Sequence, residues 1–412
     1  MRILVRHIPN TYNYGSLMMA ITAIDYLNRY LEHAEFFVDC RTQEDLNRLR
    51  QETKLDNIQM AYEHDIVSNS VFSKIVKRFR IAKKQGELYD VKIVLGGDDI
   101  SEYYGQRGWI IKFPLMIIEG FFVPTILLGQ TIGPFTSYRK LLARLALNRT
   151  RIYTRDDETL RYIRRLGIKT GSKGRDLAFL QLPNQEAARS ILIQHDLNEN
   201  SYVTVVPSGL AKSYTSNYDD YLDEQLNIIR KLLSNESLKD KAIVLLAHVK
   251  APGTADRTVI EDLEARLGEE ERARIIVIKE DILASEARAV LGNGLFTITG
   301  RMHAAISTFY MRKPAISLSY SVKYNGVIGK GLGMPDLVIE SADDSLWATG
   351  QISQLVGEKV EYVLENYQTL VDEIDRNVAL TTEMVQEQLD NVVKDLQTIQ
   401  SQRLRSLFRF RT

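Results

Sequence analysis

The chain has 412 residues, enough for two or three domains with separate hydrophobic cores. Apolar residues make up 44% and charged residues 26%, an ordinary globular composition that excludes a collagenous, disulfide-rich or wholly disordered chain. With 53 basic and 53 acidic residues the net charge is zero, so no global field favours nucleic acid, and the single Cys40 excludes an intrachain disulfide or cysteine zinc site.

The opening RILVRHI is a short β-branched run, followed by the polar loop PNTYNYGS and by LMMAITAIDYLNRYL, whose apolar residues recur at helical spacing. It lacks the apolar h-region of a secretory signal, so export is not expected. Apolar runs ending in polar or glycine-containing loops follow as FFVDC, IQMAYE, YDVKIVLGGDD, VPTILLGQTIG and RIYTRDDE. Runs of this kind alternating with helices predict a parallel sheet covered on both faces. Strand character is lost near LPNQEAARSILIQHDLNENS and returns with YVTVVPSG, KAIVLLAH, ARIIVIKE, GLFTITG, KPAISLSY and PDLVIE, which predict a second doubly wound domain. Beyond Asp344 the chain reads as long helices. The expected division is therefore a Rossmann-like domain over 1–185, a second over 200–345 and a helical extension over 346–412. No run, MIIEGFFVPTILLG included, reaches the roughly 18 apolar residues of a spanning helix.

In open α/β sheets ligands bind beyond the carboxyl ends of the strands, so the residues that close each apolar run are the candidates. The NYGS loop, with Asn13, Gly15 and Ser16, opens a helix where free N–H groups suit an anion; a tight turn with Ser16 as helix cap is the other reading. In LGGDD, Gly96 and Gly97 precede Asp98 and Asp99, carboxylates that could bind sugar hydroxyls, orient a base or hold a metal; a glycine turn followed by helix-capping carboxylates is the other reading. GQTIGP reads as a structural turn with Gln130 as its substrate contact. Arg155, in YTRDDET, could hold a carboxylate or phosphate with its planar fork, or pair with Asp156 at the surface. GRMHAAIS places Arg301 and His303 where a strand gives way to a helix, a cation beside helical N–H groups and a group able to exchange a proton near neutral pH. Lys323 follows the next strand. The six histidines form no HxH or HxxxH pair, so no metal is expected, and no Walker or dinucleotide glycine motif follows the first strand.

Taken in order over residues 10–330, these loops resemble the polysaccharide pyruvyl transferase family. The most specific part is GRMHAAIS followed by KPAISLSYSVK, which looks like the family's Arg-x-His signature, proline-containing strand and downstream lysine, here Arg301, Met302, His303, Pro314 and Lys323. The resemblance implies two Rossmann-like domains in a GT-B-like arrangement. It implies phosphoenolpyruvate as donor, without a further cofactor, and a sugar hydroxyl pair as acceptor, giving a pyruvate ketal. Arg155, Arg301, Met302, Ser208, Lys212 and Lys323 then become donor-side residues; Asn13, Gly15, Ser16, Gly96, Gly97 and Gln130 become acceptor-side residues. His303 would protonate the methylene carbon and Asp98 or Asp99 receive the hydroxyl proton. Two positions depart from the family pattern: VVPSGLAKSY offers Ser208 and Lys212 where many relatives have a basic residue, and Asp98 stands where a third glycine is common.

The segments 71–84 and 403–411 combine basic and aromatic residues, a pattern suited to an anionic leaflet. They predict a cytoplasmic enzyme resting at the inner face of the membrane, acting on a lipid-linked oligosaccharide and not on nucleic acid. Two other readings share the architecture: a glycosyltransferase using a nucleotide-sugar, and a catalytically silent binding protein of a polysaccharide assembly complex.

Overall fold

The computed structural model describes residues 1–8, 10–61, 71–102, 105, 108–250 and 255–409. Its first series of elements is β1 (Arg2–Arg6), α1 (Tyr14–Tyr30), β2 (Glu35–Val38), α2 (Gln43–Thr53), β3 (Ile58–Met60), α3 (Val71–Leu88) and β4 (Val91–Leu95). The series continues with α4 (Trp109–Phe122), β5 (Thr125–Gln130), α5 (Arg139–Leu147), β6 (Arg151–Thr154), α6 (Asp157–Arg165) and the two-residue β7 (Gly171–Ser172). These strands form a parallel sheet in the order β3-β2-β1-β4-β5-β6-β7.

The second series is α7 (Ser190–Gln194), β8 (Tyr202–Val206), α8 (Tyr218–Ser234), β9 (Ala242–Leu246), α9 (Asp256–Arg266), α10 (Glu269–Arg272) and β10 (Ile275–Ile278). It goes on through α11 (Ala284–Asn293), β11 (Thr297–Thr299), α12 (Met302–Tyr310), β12 (Ala315–Ser319) and β13 (Val338–Glu340) to α13 (Asp344–Ala348), α14 (Gln351–Glu365) and α15 (Tyr367–Arg409). Its parallel sheet runs β10-β9-β8-β11-β12-β13. Every residue of β5, β8 and β12 is buried, as expected of strands covered on both faces. The twelve strands expected from apolar runs are all present; the short β7 has no such run behind it. In each sheet the chain order reverses once, at β1/β4 and at β8/β11, and ligands of doubly wound sheets lie at such points.

The division of the chain differs from the expected one. One compact unit comprises Met1–Thr11, Met19–Leu177 and Glu383–Thr412, the other Tyr12–Met18 and Ala178–Thr382. The break falls before 185 because Leu182, Ala188, Ile191 and Leu192 are buried, and Gln185 donates to the Ser285 carbonyl at 3.1 Å, within the second unit. Residues 12–18 join the second unit through the pairing of Asn13 with Val249 and the bond from Lys250 N–H to the Tyr12 carbonyl, 3.0 Å.

The C-terminal helices are not a separate extension. Helix α14 is held to the second unit by Ser353 N–H, which donates to Glu224 at 2.7 Å. Helix α15 has 43 residues, about 65 Å at 1.5 Å per residue. Its later half belongs to the first unit, where Val385, Leu389, Val392 and Leu396 are buried, Tyr26 and Tyr153 donate to Asp390 and Asp395 at 2.8 Å, and Gln388 accepts from Arg175 N–H at 2.8 Å. Arg403, expected at a membrane surface, instead bonds the Tyr89 carbonyl at 2.9 Å and Asp90 at 2.8 Å. The side chains of 404–411, like those of 71–75, lie outside the described residues.

Candidate functional site

In the second unit the switch point lies between the loops that follow β8 and β11. Gly300 ends β11 so tightly that an added Cβ would stand 2.7 Å from the Tyr214 hydroxyl and 2.9 Å from Ser208 Cβ. Its carbonyl accepts from Tyr214 at 2.7 Å and from Tyr324 at 2.6 Å. Arg301 follows as the residue that opens α12, and its Nε and Nη2 donate to Asp256 Oδ1 at 2.9 and 2.6 Å. Burial disfavours the guanidinium charge, but the Asp256 carboxylate more than offsets this and raises the Arg301 pKa.

Asp256, fully buried at the start of α9, also accepts from the N–H groups of Gly209, His248 and Val249 at 2.8, 3.0 and 2.8 Å. One carboxylate thereby ties together the loops after β8, β9 and β11. Nothing in the sequence distinguishes it from an ordinary first-turn acid; the only signal is an aspartate opening a helix after a glycine-containing loop.

His303 sits half-buried in the first turn of α12. Its ring rests on Gly15, where an added Cβ would lie 2.3 Å from Nδ1 and 2.7 Å from Cβ of the histidine. The NYGS loop is brought there by the pairing of Asn13 with Val249 and the bond from Tyr14 N–H to the His248 carbonyl, 3.4 Å. Asn13, rather than Ser16, serves the start of α1, its Oδ1 accepting from Ser16 N–H at 3.4 Å. Asn13, Gly15 and Ser16, expected on the acceptor side with Gly96 and Gly97, are thus grouped with His303. His248, absent from the expected set, lies edge-on to Tyr14 at 5.4 Å between centroids. Burial, and then the charges of His303, Arg301 and Arg288, hold its imidazole far below the ordinary value, so it is neutral at physiological pH.

The other donor-side residues divide. Lys323 Nζ donates to the Tyr320 hydroxyl at 2.6 Å and lies over the Tyr320 and Tyr324 rings, which brings it to the turn that Tyr324 supports. Met302 is buried in the core and Lys212 is exposed on a short helical turn. Ser208 is fully buried, its N–H donating to the Tyr221 hydroxyl at 2.9 Å and its Oγ accepting from Leu210 N–H at 3.2 Å, so it builds the loop instead of facing a ligand.

In the first unit the switch point lies between the loops after β1 and β4. His7, with a positive φ of 84°, places Nδ1 3.1 Å from the Leu95 carbonyl and Nε2 3.2 Å from Asp99 Oδ2. Two acceptors, one on each ring nitrogen, favour the doubly protonated ring. The Asp99 hydrogen bond outweighs burial and raises the His7 pKa above 6.5. Burial pushes Asp99 upward, but the His7 hydrogen bond and charge prevail and hold its carboxyl below the ordinary value. Both side chains remain more than a third exposed. Asp98 is half-buried beside them, its carbonyl accepting from Ser101 Oγ at 2.6 Å.

Three expected contacts in this unit are structural. An added Cβ on Gly96 would lie 1.9 Å from the Gly129 carbonyl oxygen, so close packing demands that glycine, whereas on Gly97 it would meet only the end of the Asp99 side chain, Oδ1 at 2.5 Å. Gln130 is fully buried and its amide donates to the Leu95 carbonyl at 2.7 Å, joining β5 to the end of β4. Arg155 is not a surface group paired with Asp156: it is 2% exposed, bonded to Thr131 Oγ1 at 2.8 Å and paired with Asp176 at 3.5 Å. A cation buried on a carboxylate is neutralised where it stands and does not attract a donor. Among the described residues no group of three or more His, Cys, Asp or Glu side chains is placed to hold a metal ion.

Two doubly wound parallel sheets followed by long helices place the chain in the GT-B-like fold class. It is similar to the UDP-GlcNAc 2-epimerase of Neisseria meningitidis bound to UDP-GlcNAc, with a TM-score of 0.59 and 11% identity over 95% of this chain and 100% of that one. The UDP-GlcNAc 2-epimerase of Methanocaldococcus jannaschii gives a TM-score of 0.55 and 13% identity over 88% and 99%. At these identities the likeness is one of fold. Over 356 residues the chain is 22% identical to the amylovoran biosynthesis protein AmsJ of Erwinia amylovora, covering 84% of this chain and 82% of that protein. Residues 13–322 match the polysaccharide pyruvyl transferase family model, and the chain belongs to that family.

Proposed function

We propose that this chain transfers a pyruvyl group from phosphoenolpyruvate onto two hydroxyls of a sugar, giving a pyruvate ketal and inorganic phosphate during assembly of an exopolysaccharide or cell-surface polysaccharide. The family and the likeness to an amylovoran biosynthesis protein support the polysaccharide side of this reading. The observation that carries the residue assignment is the seat of His303 on Gly15, beside an Arg301 fixed by Asp256. Lys323 supplies a further cation, and the first N–H groups of α12 add donors for the phosphate.

In this reading one sugar oxygen bonds to C2 of the enol phosphate while His303 gives its proton to C3, turning the methylene into a methyl group. Asp99, held by His7, takes the proton of that hydroxyl, a role for which the neighbouring Asp98 is the alternative. The C2–O bond to phosphate then breaks with its electron pair, and the second sugar oxygen bonds to C2. Of the two hydroxyl protons one balances the proton on carbon and the other leaves with phosphate. The reaction requires no cofactor beyond phosphoenolpyruvate itself, and the acceptor is assigned as a lipid-linked oligosaccharide.

Incubation with phosphoenolpyruvate and a panel of lipid-linked and soluble sugars tests the proposal. The expected result is phosphate release that needs both substrates, with a product heavier by one ketal-linked pyruvate. No phosphate release across the panel, or nucleotide release from a nucleotide-sugar, would overturn it.

A further inference from the structure

Helix α4, WIIKFPLMIIEGFF, carries one lysine and one glutamate in fourteen residues, and a helix this apolar is ordinarily buried. Only Trp109 and Phe113 of it are. Ile110 and Ile111 are exposed, and Phe121 is 66% exposed. On α5 and the residue before it Tyr138, Leu141 and Leu145 are exposed, and on α3 so is Phe79, whose ring meets Phe122 of α4 at 5.1 Å. Seven of the thirteen large apolar side chains exposed among the described residues therefore fall on this one run of helices. The connections β3 to β4, β4 to β5 and β5 to β6 step in one direction across the sheet, so right-handed crossovers line α3, α4 and α5 along one face. Apolar surface gathered in this way marks an interaction site.

The charges say what covers it. In a chain of zero net charge the three helices carry ten basic residues and two acidic ones. Glu119 is taken up by Lys92 at 2.5 Å and Glu87 lies 3.4 Å from Lys84, so neither opposes an anion. Arg149 stands 4.2 Å over the Phe121 ring and Lys112 4.6 Å over Trp109, aromatic and cationic groups side by side as at a membrane interface. A second copy on the same face would set this positive field against itself, whereas an anionic leaflet neutralises it and takes up the apolar stripe.

We infer that the α3–α4–α5 face lies on an anionic lipid bilayer, with Phe121, Leu141 and Leu145 in the interface and Arg80, Lys83, Lys84 and Arg149 at the headgroups. The segment 71–84 named from the sequence is one edge of this surface; its apolar centre is α4. Trp109, at the start of α4, donates to the Ser101 carbonyl at 2.7 Å, which joins the surface to the Asp98–Asp99 loop. A lipid-linked acceptor would then carry its sugar to that loop while its lipid stays in the leaflet, a consequence that rests on the function proposed above; the lipid contact itself does not.

Co-sedimentation of the full chain with vesicles of phosphatidylcholine, alone or mixed with phosphatidylglycerol, tests the inference. The chain should pellet with the anionic vesicles at low salt and be released at high salt, since counterions screen the headgroup attraction. Phe121→Glu combined with Leu145→Glu should weaken binding by about tenfold or more, as an exposed apolar anchor is lost and two negative charges face the leaflet. Thermal unfolding and phosphate release with a soluble sugar should stay at wild-type levels. Lys83→Glu with Lys84→Glu, both exposed on α3, should reproduce the loss without touching the apolar stripe. A wild-type chain that stays in the supernatant with anionic vesicles, or variants that sediment like it, would overturn the inference. So would a wild-type dimer in light scattering that the Phe121 and Leu145 changes abolish. Loss of vesicle binding with phosphate release intact defeats this surface alone; absent phosphate release with binding intact defeats the chemistry alone.

Discussion

Each sheet places a cationic side chain against a carboxylate at the point where its strand order reverses, and the two pairs differ in burial. His7 and Asp99 are more than a third exposed, on two short loops, with a pKa shift on each partner. Asp256 is fully buried and Arg301 mostly so, and the carboxylate also takes three backbone N–H groups. The first can exchange protons with a ligand or solvent. The second is fixed by its hydrogen bonds, and what it holds is the turn that presents His303 with the Arg301 charge beside it. Arg155 and Asp176, buried in the first unit, repeat the second pattern.

The largest effect expected from breaking this contrast is at His303. Replacing it with alanine should lower kcat by about 10²–10⁴-fold, the usual contribution of a general acid, with thermal unfolding unchanged. Asp256→Ala leaves a buried guanidinium and three N–H groups without their acceptor and should cost about 3–5 kcal/mol of stability in chemical denaturation, with kcat falling as well. Arg155→Ala should show a similar stability loss of about 3–5 kcal/mol while leaving KM for phosphoenolpyruvate unchanged, because Arg155 is a support and not a donor contact. A rise in KM without loss of stability would reverse that assignment. Gly15→Ala drives a Cβ into the His303 ring, and a displacement of about 1 Å lowers kcat by about 10²-fold with native circular dichroism retained.

The smallest effect is a shift in pH dependence. Asp99 is pushed below its ordinary pKa by His7, so it is ionised and able to take a proton above that lowered value, and activity falls as pH drops through it. His7→Gln removes the cation and leaves burial to push the carboxyl upward, so the acid limb of kcat/KM should move to higher pH. The pair's own contribution to stability is present between the lowered Asp99 value and the raised His7 value. It is lost as pH falls through the first or rises through the second. An unmoved acid limb would show that Asp99 is not the base, or that His7 does not govern it.

Strands were legible wherever an apolar run closed on a polar loop, because strands buried on both faces leave that mark in one dimension. The loops that gather at the second switch point were legible for the same reason, and Arg301, His303 and Lys323 were found by position after a strand. Asp256 was not, since it lies ten residues beyond β9 and returns to Arg301 only through the fold. Arg155 was misjudged because a strand end shows where a side chain starts and not whether a carboxylate such as Asp176 waits for it. The exposed apolar face of α4 reads as core in composition, and the division of α1 and α15 between two units leaves no local signature at all.

The central claim is that His303 protonates the methylene carbon of phosphoenolpyruvate as the ketal forms, and deuterium incorporation tests it directly. In heavy water a histidine proton exchanges with solvent before it is delivered, so the pyruvyl methyl group of the product should carry one deuterium by mass spectrometry, and His303→Ala should form the labelled product about 10²–10⁴-fold more slowly. A ketal with an unlabelled methyl group, or a His303→Ala enzyme that forms the labelled product at the wild-type rate, would contradict the account.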